Sequence, residues 1–134
     1  MTVLQSDQRT VQSAEDVVAI RQAVRQRAVE LGFNLVDQTK IVTAASELAR
    51  NTVQHGGGGR VTIEAVEDFG RRGIRLTFED EGPGIPNVEL AMKDGFTTGG
   101  GLGLGLSGAR RLSNDFSIES TVGKGTRVTI TRWR

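Results

Sequence analysis

An α/β domain of the α+β kind is the fold class this sequence predicts, and three observations predict it. Two stretches in the first half carry apolar residues at helical spacing, two pairs of short alternating stretches are joined by turn residues, and the glycine-rich middle carries both prolines. At 134 residues the chain has single-domain length and one core is expected, with no repeat, linker or second domain in 1–134.

The elements follow in order. Ser13 before Glu15 and Asp16 is an N-cap with acids in the first turn, and Val17, Ile20, Val24, Ala28 and Leu31 continue at helical spacing until Gly32. Asp37 is the expected cap of a second helix, whose apolar stripe is Ile41, Ala44, Ala45, Leu48 and Thr52, and four glycines at 56–59 stop it. Val61, Ile63 and Ala65 then alternate with polar residues, as do Ile74, Leu76 and Phe78 beyond a turn at 69–73. These form a hairpin, so the sheet is at least partly antiparallel. Residues 81–105 are too irregular for a long element apart from a short helix near 88–93, and read as a ligand loop. A third helix is expected over 104–112, then a hairpin of strands 116–120 and 126–132 turning at 122–125.

Composition excludes several classes. Acidic and basic residues nearly cancel at a net charge of +1, and no basic block stands apart, so nothing marks a nucleic-acid or membrane surface. With no cysteine, neither a disulfide framework nor a thiolate zinc site is available. No charged and apolar leader opens the chain, and no run approaches the roughly 18 apolar residues of a span, so a cytoplasmic protein is expected.

Chemistry enters where polar groups fall on inward positions. At about 100° per residue Glu47 and Asn51 share one flank of the buried face of the second helix, while Arg50 points away. A carboxylate and an amide one turn apart can serve one small volume, the amide oxygen meeting a hard Mg²⁺ and the acid taking a proton. The alternative is an exposed acid beside a solvated or capping Asn. Asp80, opening Asp80-Glu-Gly-Pro-Gly84, has the parity of Ile74, Leu76 and Phe78 and so directs a carboxylate inward, where an N–H donor such as the adenine amine would satisfy it. Gly82 and Gly84 would let the backbone approach a flat ring; the alternative is an Asx turn into Gly-Pro-Gly.

The run from Gly99 to Gly105 leads into the third helix as an anion cradle suited to phosphate, the alternative being a flexible surface loop. Gly103, Gly105 and Gly108 satisfy a lone GxGxxG, but no strand precedes them. Walker A fails for want of a closing Gly-Lys-Ser/Thr, and the eukaryotic-type kinase motifs are missing. Thr126, in Gly123-Lys-Gly-Thr126, shares parity with Val128 and Ile130 and faces inward. Four separate oddities thus converge on an ATP pocket. His55, at the end of the second helix, lies near the Asn51 face and reads as a surface or packing residue ahead of a nucleotide contact.

Together Glu47-Leu-Ala-Arg-Asn51, Asp80-Glu-Gly-Pro-Gly84, Gly101-Leu-Gly-Leu-Gly105 and Gly123-Lys-Gly-Thr126 resemble the boxes of the GHKL ATPases over nearly the whole chain. Ser46-Glu-Leu-Ala-Arg-Asn51, Asp94-Gly-Phe-Thr-Thr98 and Gly100-Gly-Leu-Gly103 are most similar to the stressosome switch-protein kinases among the anti-sigma-factor-type serine/threonine kinases. The resemblance implies the Bergerat ATP-binding fold, a two-layer sandwich with helices on one face of a mixed, mainly antiparallel sheet. It implies ATP and Mg²⁺, with Glu47 as general base, Asn51 as metal ligand and Asp80 as acceptor of the adenine amine. Gly82 and Gly84 would line the adenine, Gly101, Gly103 and Gly105 would form the phosphate lid, and Thr126 would reach adenine through water. The implied partners are STAS-domain antagonist or scaffold proteins and the regulatory domain of a PP2C-type phosphatase. The rival readings are an anti-sigma factor kinase that captures a sigma factor, and a nucleotide-gated binding module with little kinase activity. A histidine kinase would need a phosphoacceptor His on a helical dimerisation domain, and His55 is the only histidine.

Overall fold

The computed structural model describes residues 1–93 and 105–134. Its elements are β1 (Thr2–Val11), α1 (Ala14–Glu30), α2 (Leu35–Gln54), β2 (Gly59–Asp68), β3 (Arg71–Asp80), α3 (Val88–Ala91), α4 (Leu106–Arg111), β4 (Asp115–Thr121) and β5 (Gly125–Trp133). The strands form one sheet in the order β1-β2-β3-β5-β4, and all four pairings are antiparallel.

Alternation sets the two faces of the sheet. Val61, Ile63, Ile74, Leu76, Phe78, Val128 and Ile130 pack on Ile20, Val24, Ile41, Leu48 and Leu106 of the helices in one buried cluster. The intervening Thr62, Glu64, Arg75, Thr77, Glu79, Arg127 and Thr129 line the polar opposite face. That face also pins the register, because Glu64 lies opposite Arg75 at 2.8 Å and Arg60 opposite Glu79 at 2.9 Å. A slip of one residue would bury these charges and expose the core set.

α1 begins as the sequence indicates, with Ser13 Oγ accepting the Asp16 N–H at 3.2 Å. It ends in a Schellman pair: Gly32, at φ +83°, donates to Val29 O, Phe33 donates to Ala28 O, and buried Phe33 folds back on the core. For α2 the expected cap is corrected. Asn34, not Asp37, caps it, its Oδ1 accepting the Asp37 N–H at 2.8 Å. Asp37 sits in the first turn, where its carboxylate meets Arg132 of β5 at 2.7 Å, and Arg132 also donates to Leu112 O. Both residues are cap formers at the right distance from the apolar stripe, and the demand of Arg132 for a carboxylate separates their roles.

Other boundaries shift by small amounts. The β2–β3 turn tightens from 69–73 to Phe69 and Gly70, both at positive φ (51° and 78°), the mirror-image turn that matches strand twist. α3 is a single turn capped by Asn87, and α4 starts at Leu106; Leu104, the expected first residue, lies outside the described residues. β1 is an element that periodicity does not reveal. Val11 is the one buried residue of its ten, and the strand exists by backbone pairing along β2.

Candidate functional site

The C-terminal turns of α2 lie over the ends of β3 and β5, and the gap between them is the candidate site. Leu48, Asn51, Thr52 and His55 of α2 face Phe78 and Asp80 of β3, Ile85 of the following loop, and Thr126 and Val128 of β5. Asn51, Asp80 and Thr126 are therefore brought together. Asp80 and Thr126 are direct cross-strand partners, and Thr126 is buried as its parity indicates. The cavity is small, about 20 Å³, where roughly 10–15 Å³ suffices for one water molecule.

The Asx turn that the sequence allowed at Asp80 is present. Asp80 Oδ1 accepts the Gly82 N–H at 3.0 Å, which is the Asx turn into Gly-Pro-Gly, and the same carboxylate lines the cavity. Glycine is demanded where backbone meets backbone here. A Cβ on Gly82 would stand 2.6 Å from Gly56 O, and one on Gly56 would stand 2.5 Å from Asp80 Oδ2. Gly84 is at φ +76°, and its Cβ would stand 2.4 Å from Thr121 O. Gly82 and Gly84 thus shape the loop that walls the cavity.

Two residues outside the four motifs hold that wall. Ser120 of β4 accepts the Ile85 N–H at 2.7 Å and shares a 2.9 Å hydrogen bond with the Thr126 hydroxyl. With Ser120 donating to Gly125 O at 3.3 Å and Thr126 donating to Ser120, every hydroxyl proton is used and the Thr126 lone pairs stay free for the cavity. A serine in a strand gives no sequence signal of this role. His55, half-buried at the C-cap of α2, donates from Nε2 to Gly84 O at 3.2 Å. His55 thus packs on the loop, and it lines the cavity as well.

Glu47 stands apart, one helical turn before Asn51 and outside the cavity lining, with its side chain 38% exposed and Arg50 Nη1 at 3.4 Å. Gly105 comes close to it: at φ +65°, with no side chain, it sits where a Cβ would approach Glu47 Oε2 to 2.5 Å. The start of α4 and the acid on α2 thus share the rim. Gly101 and Gly103 lie outside the described residues. Among the described residues no group of three or more His, Cys, Asp or Glu could hold a metal ion.

Comparison with known proteins places these residues in context. Residues 36–133 match the family of histidine kinase-, DNA gyrase B- and HSP90-like ATPases. The chain is 50% identical over 118 residues to the serine/threonine-protein kinase RsbT of Bacillus subtilis strain 168, covering 88% of this chain and 89% of that one. It is 33% identical over 118 residues to the anti-sigma F factor of Thermoanaerobacter sp. strain X514, covering 84% and 82%. Among solved structures, the RsbU and RsbW domains of Rv1364c from Mycobacterium tuberculosis superpose with a TM-score of 0.66 at 23% identity, over 97% of this chain and 33% of that one. The catalytic domain of histidine kinase ThkA superposes with a TM-score of 0.57 at 18% identity, over 94% and 95%.

Proposed function

The chain belongs to the histidine kinase-, DNA gyrase B- and HSP90-like ATPases, within them to the serine/threonine kinases that include RsbT, and on that premise we propose that it works in partner switching. It transfers the γ-phosphoryl group of ATP to a Ser or Thr of a STAS-domain antagonist or scaffold protein. Once released from that protein it activates a PP2C-type phosphatase through the phosphatase's regulatory domain. All 134 residues form one ATP-binding kinase domain, acting in the cytoplasm; no helix among the described residues is long and apolar enough to cross a membrane.

The observation that carries the reading is the meeting of Asn51, Asp80 and Thr126 around one cavity at the end of α2. Asp80 spends one oxygen on Gly82 and keeps Oδ2 for the adenine amine, while the Thr126 lone pairs take a bridging water. Gly82 and Gly84 let the loop that walls the pocket close on the backbone of Gly56 and Thr121. A purine needs far more space than one water, so nucleotide entry displaces the Ile85 wall outward from α2. The amide oxygen of Asn51 fits Mg²⁺, which would neutralise phosphate charge. Glu47, at the rim beside Gly105, accepts the proton of the attacking hydroxyl, and Gly101, Gly103 and Gly105 cradle the phosphates.

The test is incubation with Mg²⁺ and γ-labelled ATP, with and without a STAS-domain partner. Label on a partner Ser or Thr is expected, and Glu47→Ala should lose transfer while retaining ATP. Transfer that survives Glu47→Ala would remove that residue from the base role. Similarity to anti-sigma F factors at 33% identity supports a second reading, capture of a sigma factor. ATP binding without transfer, joined to co-purification of a sigma factor, would favour it.

A further inference from the structure

Three polar residues stand on one rung of the sheet. Asp80 of β3 is the direct partner of Thr126 of β5, and Thr126 is the direct partner of Ser120 of β4. Asp80 and Thr126 line the cavity, while Ser120 stands behind them, half-buried and on the inward parity of Phe116 and Ile118.

The Ser120 hydroxyl has three neighbours and a single proton. The Ile85 N–H, at 2.7 Å, can only donate to it, and Gly125 O, at 3.3 Å, can only accept from it. Meeting both leaves one lone pair for Thr126, at 2.9 Å, whose hydroxyl must then be the donor. The Thr126 proton is thereby turned away from the cavity. With Asp80 Oδ1 already given to the Gly82 N–H, this edge of the cavity offers acceptors only, Asp80 Oδ2 and the Thr126 lone pairs. Movement of the wall at Ile85 leaves this direction in place, because the Ser120–Thr126 bond lies within the β4–β5 ladder and Gly125 O still takes the Ser120 proton.

Resting on the assignment of Asp80 and Thr126 to the adenine, we propose that Ser120 is a specificity-determining residue. It selects a 6-amino over a 6-keto purine by fixing the direction of the Thr126 proton, without touching the base itself. A count of protons gives the reason. With adenine and one bridging water, three acceptors meet at this edge: Asp80 Oδ2, Thr126 Oγ1 and purine N1. Three protons serve them, one from the 6-amine and two from the water. In a 6-keto purine N1 carries a proton and donates to the water oxygen, and the keto oxygen takes its place among the acceptors. The amine proton is gone, so two water protons must serve three acceptors, with the carboxylate set against the keto oxygen. A buried acceptor left unpaired forfeits its hydration, which is how a polar edge rejects the wrong analogue. Removal of the Ser120 hydroxyl frees the Thr126 proton, makes Thr126 a donor, and returns the missing proton to the 6-keto purine.

The experiment titrates ATP and inosine triphosphate, each with Mg²⁺, into the full chain by calorimetry, with a melting curve on every preparation. Inosine triphosphate differs from ATP only in the keto oxygen at C6 and the proton it places on N1. Wild type should prefer ATP by about tenfold or more, and in Ser120→Ala that preference should fall about fivefold or more, because ATP loses affinity and inosine triphosphate does not. Ser120→Thr keeps a hydroxyl and should keep the wild-type ratio. His55→Ala loosens the same wall at Gly84 O without altering the Thr126 proton, and should weaken both nucleotides alike. An unchanged ratio in Ser120→Ala, or an equal fall in Ser120→Thr or His55→Ala, would overturn the proposal while leaving the nucleotide site standing. Wild type that binds neither nucleotide would refute the adenine assignment and the proposal with it.

Discussion

Asp80→Asn separates the structural work of this residue from its proposed recognition work. The carboxylate gives Oδ1 to the Gly82 N–H at 3.0 Å, and the amide oxygen of Asn can take over that bond, so the Asx turn and the loop behind it survive. What changes is the second atom: Oδ2, an acceptor in the wild type, becomes an NH₂ donor facing the proposed adenine amine. A hydrogen bond to a charged acceptor contributes about 1.5–3 kcal/mol, so Kd for ATP should rise roughly 10- to 150-fold. Isothermal titration gives the affinity, and a melting curve on the same preparation should move little. Asp80→Ala should lose both bonds and lower the Tm as well. Unchanged ATP affinity in an Asp80→Asn protein with wild-type melting would refute the assignment of Asp80 to the adenine.

Three further substitutions probe the scaffold around the site. Ser120→Ala removes the acceptor of the Ile85 N–H and the partner of Thr126, and should weaken ATP binding by about 1 kcal/mol, or fivefold in titration, with a similar loss of stability. Gly84→Ala combines a φ of +76° with a Cβ 2.4 Å from Thr121 O. It should cost about 1–3 kcal/mol in denaturant unfolding and disturb nucleotide binding through the displaced loop. Asp37→Ala leaves the Arg132 guanidinium, its side chain only 13% exposed, without its carboxylate. The expected loss is about 2 kcal/mol, a fall of about 5–10 °C in Tm, with ATP affinity unchanged because the pair lies at the opposite end of α2 from the cavity.

The sequence made the core legible wherever one face of an element is fully buried. α1 and α2 appear through Ile20, Val24, Ile41 and Leu48, and β2, β3 and β5 through their alternating apolar residues. β1 escaped because nine of its ten residues are not buried, so no alternation is imposed on them. The choice between Asn34 and Asp37 as a cap depended on Arg132, almost a hundred residues away, which local spacing cannot anticipate. Asp80 and Thr126 were legible because their parity set polar groups among apolar ones, and the structure pairs them directly. Ser120 and the His55 contact to Gly84 were not, since each acts through a bond that exists only once distant elements meet. Gly101 and Gly103 lie outside the described residues, and Gly105 is the member of that run whose neighbour, Glu47, is seen.

β3 occupies the middle of the five-stranded sheet, and Asp80 and Thr126 face one another across its ladder with β5. The pair is the terminal rung of that ladder, so the central strands fix its spacing on one side and the loop at 82–85 adjoins it on the other. On heating, ATP affinity should fall when the wall at 82–85 frays, before the central strands separate. Amide exchange at Phe78 and Val128 should then proceed only by complete unfolding, and ATP should raise the Tm in proportion to the logarithm of its concentration.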